Sequence, residues 1–422
     1  MILFGDDEGH WAAIKRMCGK RAETPFTTFY NRRGLPFWTI RDCCEMSGAA
    51  SWDAAAATRQ SLTAWHNRGM SAPRVTVLID TYNYGQYIEE AVESVLAQEF
   101  PREQREILVV DDGSTDDTAE RLKKYGDAIR YLRKPNGGQA SAFNFGFAEA
   151  RGEIIATLDA DDLWMPQKLR RVCETFEKNT DAGMVYHRAY MWRGGQEVQV
   201  DSHFSEVSGR IPESRVSLLS YPMVATSCLA FRRSALNKLL PVPEALRSQA
   251  DAYLTALVIF VAPVAALPEF LAKYRIHAAN LFHISEDKPT RERIEHRMAM
   301  RSALSAEIHG WLERNGHDLT SPNLQMYMKQ WTKAQEVDGF ILAEPSRWNY
   351  FRHLLEYPRV YGEIMSPRHR VYSYMRAFGA LLLGYDRLYL LDDFRKGSKG
   401  ILGQPAQESV FSDDKKEGAA KN

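Results

Sequence analysis

Between Arg74 and Lys178 the chain repeats one alternation: a short apolar run, a turn, then apolar residues at helical spacing. Val75–Ile79 (VTVLI) is brief and β-branched, and Tyr87–Gln98 (YIEEAVESVLAQ) carries the period of a helix. Ile107–Val110 reads as a second strand, Thr115–Tyr125 as a helix and Ile129–Leu132 as a third strand. A helix of small residues from Gln139 to Ala150 leads to a fourth strand, Ile154–Leu158 (IIATL). Pro166 stands where the first turn of a helix accepts proline, and Gln167–Lys178 follows it. Strands this uniformly apolar have no polar face to show to water, so helices must cover both sides. The pattern predicts an α/β fold, a Rossmann-like and mostly parallel sheet flanked by helices.

The rest of the 422 residues divides around that unit. Residues 1–72 lack a sustained helical or alternating period. Two readings of them stand: an extension that is partly helical and partly disordered, or sequence upstream of a true start at Met70. The α/β domain is expected over residues 73–287, a helical C-terminal module over 288–403, and a disordered polar tail over 404–422. Within the module, Arg291–Leu312, Asn323–Val337 and Arg370–Leu383 have helical character. Their mixture of Arg, Trp, Tyr and Leu offers a face for a membrane surface, for an oligomer, or for packing against the α/β domain.

Composition removes several classes. Lys+Arg 54 balances Asp+Glu 54, which gives no basic footprint for nucleic acid. Five cysteines, at 18, 43, 44, 173 and 228, form neither a disulfide framework nor a CxxC metal site, and the expected compartment is the reducing cytoplasm. The longest uncharged apolar stretch, Ala252 to Pro268, is short for a membrane span and holds Pro263, so it is expected to be a buried helix running into a strand. GxGxxG after the first strand, GxxxxGK[ST], GxSxG and HExxH are all missing.

In an open α/β sheet, ligands bind outside the carboxyl ends of the strands. Those ends here read Asp80-Thr81-Tyr82-Asn83-Tyr84-Gly85, Asp111-Asp112-Gly113-Ser114, Asn136-Gly137-Gly138-Gln139 and Asp159-Ala160-Asp161-Asp162. Each alone would also serve as ordinary turn or capping chemistry. Their joint placement on one edge is the stronger signal. Three carboxylates in four residues repel one another unless a cation or solvent intervenes, and hard cations such as Mg²⁺ or Mn²⁺ take oxygen ligands.

The segments LIDTYNYGQYIEEAVESVLAQ, ILVVDDGSTDDT and NGGQASAFNFGFAEARGEIIATLDADDLWMPQKL, in that order, resemble the family 2 glycosyltransferases of the GT-A fold. The resemblance runs from about Arg74 to His187, and weaker matches continue to about Asn280. It implies a nucleotide-diphospho-sugar donor, with UDP the expected nucleotide, and a glycan or lipid-linked acceptor. Thr81 and Tyr82 then look like base and ribose contacts, Asp112 like the acceptor of a hydrogen bond from the base, and Asp111 like a residue that orders the loop. Asp159-Ala160-Asp161 resembles the DxD motif, with Asp161 the expected ligand of Mn²⁺ or Mg²⁺ and Asp159 nearer the ribose. Asp162 would assist or cap the next helix.

One position departs from the family. Phe143 stands where many members carry Arg, which makes Phe143 a core residue and passes the ligand contact to Gln139. Asp251 matches the family's catalytic base, although it would also make a good helix N-cap. His277, in Tyr274-Arg275-Ile276-His277, resembles a residue that contacts metal or diphosphate, and a structural histidine is the alternative. Acceptor specificity is expected in residues 190–225 and in the helical module.

The resemblance implies an inverting transfer in which Asp251 takes the acceptor proton and a metal stabilises the leaving diphosphate. A non-catalytic nucleotide-sugar-binding protein on the same fold is the competing reading, and peripheral contact with the inner face of a membrane goes with a lipid-linked acceptor.

Overall fold

The computed structural model describes residues 73–193, 196–198, 206–218, 224–277, 291–343, 346–361 and 370–383, together with two short antiparallel strands, Phe29–Tyr30 and Pro36–Phe37. The expectations for the rest of residues 1–72 and for the tail at 404–422 lie outside the described residues. Two compact units are present, Met1–Gly69 and Met70–Asn422.

The second unit opens with β1 (Val75–Thr81), α1 (Gly85–Leu96), β2 (Arg105–Asp111), α2 (Thr118–Leu122), β3 (Arg130–Arg133), α3 (Gln139–Glu149) and β4 (Ile154–Asp159). After β5 (Leu163–Trp164) and α4 (Lys168–Lys178) come β6 (Met184–Arg193), β7 (Gln196–Val198), β8 (Leu229–Arg232) and α5 (Arg233–Leu236). The unit continues through α6 (Ala250–Val261), β9 (Val264–Arg275), α7 (Arg291–Arg314), α8 (Pro322–Ala343) and α9 (Arg347–Tyr361) to α10 (370–383).

The sheet runs β3-β2-β1-β4-β8-β6-β9-β5, with β7 paired to β6. Its first four strands are parallel, as the repeating pattern demands. Beyond β4 the sheet is mixed: β8 runs antiparallel to both β4 and β6, while β9 runs parallel to β6.

Strand periodicity sorts the core onto two faces. Leu78, Leu108, Val110 and Ile155 point to one face, and Val77, Ile79, Val109 and Ala156 to the other. Helices α1 and α4 cover the second face with Ile88, Val92, Leu169 and Phe176. Helices α3 and α6 cover the first.

Helix α6 is apolar on nearly every side because it lies between two layers. Leu254, Leu257 and Val258 share a core with Ile308, Trp311 and Leu312 of α7 and with Leu324 and Tyr327 of α8. The Tyr327 hydroxyl donates to the Ala256 carbonyl at 2.7 Å, fixing this outer layer in place. Pro263 separates α6 from β9, so the stretch Ala252–Pro268 is a buried helix entering a strand, as expected. Among the described residues, no helix is long and apolar enough to cross a membrane.

Candidate active site

Strand β1 has β2 on one side and β4 on the other, so successive connections leave it in opposite directions. That reversal opens a crevice at the carboxyl ends of β1 and β4. Register places Asp80 beside Asp159 across the β1–β4 pair and Thr81 beside Asp111 across β1–β2.

The loop after β1 is built by side chains of the loop after β2. Asn83 adopts left-handed backbone, φ 58°, and its amide donates to Ser114 Oγ at 2.9 Å. The Asn83 carboxamide oxygen accepts from the Thr115 amide at 2.7 Å. This leaves Tyr82 projecting at the mouth, 44% exposed, and Thr81 buried beneath it with an Oγ1 that finds no partner among the described residues. Asp111 orders its own loop, accepting from the Ser114 amide at 2.7 Å and the Tyr131 hydroxyl at 2.5 Å.

Asp112 and Gln139 also have partners inside the protein. The Asp112 carboxylate accepts from Lys134 Nζ at 2.6 Å and from the amides of Gly137 and Gly138 at 2.9 and 2.7 Å, holding the Asn-Gly-Gly turn. Gly138 takes φ 87°, and a Cβ there would sit 2.7 Å from Arg247 Cα, so the turn packs directly on the chain that enters α6. From this turn Gln139 Oε1 accepts from the Ala250 amide at 3.0 Å. The exposed amides of a helix start need acceptors, and Gln139 supplies one from outside the helix.

Asp251 lies in the first turn of α6, and the N-cap position belongs to Gln249, which adopts left-handed backbone at φ 67°. Asp251 is therefore not the helix cap. Its carboxylate is largely buried and accepts from Thr226 Oγ1 at 3.2 Å. Burial raises its pKa, opposed by hydrogen bonds from the Ala252 amide and Thr226.

The acidic run divides between two tasks. Asp161 Oδ2 lies 2.8 Å from His277 Nε2. Asp162 is buried and accepts from Ser227 Oγ at 2.6 Å and from the Arg275 amide at 2.8 Å, so it braces the loop instead of capping α4. Ser227 Oγ also accepts from the Asp159 amide at 3.1 Å. Arg275 Nε donates to the Asp161 carbonyl at 2.7 Å. The ligand atoms of Asp159, Asp161 and Asp162 all lie within 4.8 Å of one another.

Crowding and removal from water both raise a carboxyl's pKa. Burial pushes Asp162 up to about 8, with the Asp161 charge adding to it. Burial likewise raises Asp159, with Asp80 and Asp162 next in importance. Asp80 is pushed up to about 7 by burial and then by Asp251, Asp161 and Asp112, and its Oδ1 has no partner among the described residues. Sequence reasoning assigned Asp80 no role. Its place at the end of β1 was visible in the sequence, but its pairing with Asp159 was not.

Phe143, in contrast, is 1% exposed and packs on Phe147 at 5.2 Å between ring centroids, so it is a core residue as expected. The stretch beyond His277, including Ala278 to Asn280, lies outside the described residues.

Residues 76–240 match the model of glycosyl transferase family 2. An uncharacterized glycosyltransferase of Nostoc sp. is 33% identical over 304 residues, covering 69% of this chain and 91% of that protein. The chain belongs to glycosyltransferase family 2. An uncharacterized glycosyltransferase of Rickettsia typhi is 30% identical over 215 residues, 49% of this glycosyltransferase and 65% of the rickettsial protein. Among solved structures, S. aureus TarS 1–349 in complex with UDP-GlcNAc is similar at TM-score 0.49 and 20% identity, over 77% of this chain and 92% of that one.

Proposed function

We propose that this glycosyltransferase moves a sugar from a nucleoside diphosphate donor, with UDP the nucleotide, to a hydroxyl of a glycan or lipid-linked acceptor, inverting the anomeric carbon. The observation that carries the reading is Asp251: a largely buried carboxylate oriented by Thr226, close enough to Asp80 and Asp159 to raise their pKa values.

A sugar hydroxyl is a weak nucleophile and needs a base within hydrogen-bond reach. Asp251 accepts the acceptor's proton as the oxygen bonds to the anomeric carbon and the bond from that carbon to the diphosphate oxygen breaks. One displacement on one face inverts the centre. Thr81, with its unpartnered hydroxyl, and the exposed Tyr82 receive the nucleotide, and Asp159 faces the ribose. Asp112 and Gln139 serve the donor through the turn and the helix start that they fix.

The donor set suits Mn²⁺ or Mg²⁺: clustered carboxylate oxygens, of which burial raises the pKa of Asp159 and Asp162, beside one imidazole nitrogen. Asp161 and His277 would hold the ion with Asp159, because both oxygens of Asp162 are engaged by the scaffold. Such an ion, when bound, stabilises charge on the departing diphosphate.

Thermal unfolding with UDP, GDP, dTDP and CMP, each with and without Mn²⁺, tests the donor class. A ligand at about 100 times its Kd adds about 2.7 kcal/mol of stability. Asp251→Asn is expected to keep that stabilisation and to lose transfer by about 10²- to 10⁴-fold. Asp161→Ala is expected to lose the metal-dependent part of the shift. Near-normal transfer by Asp251→Asn would overturn the base, and no shift with any nucleotide would overturn the donor class.

A further inference from the structure

Helix α10 is built inside out. Its fully buried positions are small, with Ser373 at 9% exposure and Ala377 and Ala380 at 0%; Tyr374 and Leu381 pack partly against α9, and four other large apolar side chains face outward. Val371, Met375, Phe378 and Leu382 follow one another at intervals of four, three and four residues, which places them on a single stripe. They are 58%, 67%, 55% and 75% exposed.

Against the buried side lies α9, running antiparallel. Tyr350 meets Ala380, Phe351 and Leu355 meet Ala377, and Arg347 Nη1 donates to the Leu382 carbonyl at 3.1 Å. Trp348, 55% exposed, extends the apolar surface through Phe351, whose ring lies 5.4 Å from that of Phe378. Folding has thus packed Ser373, Ala377 and Ala380, flanked by Tyr374 and Leu381, against the rest of the chain and left the stripe Val371, Met375, Phe378 and Leu382 largely uncovered among the described residues. A continuous apolar stripe of this kind marks an interaction surface, unlike apolar residues scattered singly.

Charge identifies what covers it. The whole chain is neutral, yet α9 and α10 together carry five arginines (347, 352, 359, 370 and 376) against one acid, Glu356. Arg347, Arg352, Arg359 and Arg370 are exposed. In a two-fold interface the same patch faces itself, so a second copy would bring arginines against arginines. An anionic surface answers both features, taking the apolar stripe into its interior and the guanidinium groups at its charged boundary. We propose that the α9–α10 hairpin docks on an anionic lipid bilayer, with the axis of α10 in the plane of the interface and Met375 and Phe378 at the centre of the contact.

The test uses the full chain and vesicles of phosphatidylcholine, pure or with roughly a third phosphatidylglycerol, followed by sedimentation. The protein is expected to pellet with the anionic vesicles, much less with the neutral ones, and less again as salt is raised. Met375→Asp with Leu382→Asp is expected to reduce the bound fraction at least tenfold while leaving the circular dichroism and melting temperature unchanged, since these side chains are 67% and 75% exposed. Arg352→Gln with Arg359→Gln provides a second variant that removes only charge, expected to weaken binding roughly fivefold per arginine. A folded wild-type protein that pellets with neither vesicle would overturn the proposal. So would a dimer, seen by light scattering, that Met375→Asp dissociates and that ignores vesicles, because a second copy would then be the occupant.

Discussion

Ser227→Ala removes one hydroxyl that serves two buried partners, and its cost can be worked from the site. Ser227 is 1% exposed, donates to Asp162 Oδ2 at 2.6 Å and accepts from the Asp159 amide at 3.1 Å. The alanine leaves a buried carboxyl short of a donor and a backbone amide short of an acceptor, each worth about 1–3 kcal/mol when orphaned. The expected loss is roughly 2–6 kcal/mol. It also has a sign in pH. Asp162 titrates near 8 in the folded protein, held up by burial and by Asp161 and drawn down by Ser227 and the Arg275 amide. Without the hydroxyl, the folded pKa rises further. Below about 8 both proteins carry Asp162 protonated, and the penalty is the lost bonding alone. Above that pH the wild type ionises while the variant must still be forced to, which adds about 1.4 kcal/mol for each unit of extra shift. Urea unfolding with EDTA present, at pH 6 and pH 9, measures both parts. A loss below about 0.5 kcal/mol at both pH values, or a gap that narrows as pH rises, would refute the assignment of Ser227 as the brace of this loop.

Three further outcomes are expected. Gly138→Ala forces a Cβ onto left-handed backbone and 2.7 Å from Arg247 Cα, so it should cost roughly 2–3 kcal/mol in urea and slow transfer by displacing the start of α6. Phe143→Arg, which installs the charge many family members carry, buries a guanidinium beside Phe147; it should destabilise by about 4 kcal/mol or more, and a variant that melts normally would show that the position opens to the site. Metal-free protein should lose stability as pH rises from about 4 to 8. The folded state keeps protons on Asp80 (about 7) and Asp162 (about 8) that the unfolded chain has released, and a melting temperature that rises over that window in EDTA would contradict this. Added Mn²⁺ should offset the loss above neutrality, because it competes for the ionised carboxylates.

The parallel half of the sheet was legible because β1, β2 and β4 are buried on both faces and therefore apolar at nearly every position. Leu163–Trp164 was not, since two residues form β5 only by pairing with Ala272 and Lys273 over a hundred positions away. The expected helix Thr115–Tyr125 shortens to Thr118–Leu122 because Asp116 turns its side chain to the Gly85 amide and to Thr118, and the chain then tightens into a 3₁₀ segment, Lys123–Ala128. Position in sequence brought out the acidic run, the Asn-Gly-Gly turn and Asp251. What each carboxylate holds was not legible, because Ser227, Arg275 and His277 reach the run from segments remote in the chain.

The order Asp-Ala-Asp-Asp has a physical logic once those partners are known. Ala160 is 2% exposed and lies in the core beneath the sheet edge, so the turn has an apolar anchor at its second position. Asp162 is spent on the scaffold, joining the segment before β8 to the end of β9 through Ser227 and the Arg275 amide. Arg275 returns to the Asp161 carbonyl, so the backbone that presents Asp161 is fixed from outside the turn. Asp161 can then offer its carboxylate to His277 without a structural duty of its own. Aspartate at 162 contributes this rigidity at the expense of a buried negative charge, which is why its folded pKa lies so far above the usual range. The substitution Asp162→Asn would keep an acceptor for Ser227 or the Arg275 amide and remove the repulsion on Asp161. It should therefore stabilise the metal-free fold above pH 8 while preserving the loop, as urea unfolding in EDTA would show. Asp161→Asn, in contrast, should relieve the same repulsion and abolish the metal-dependent gain.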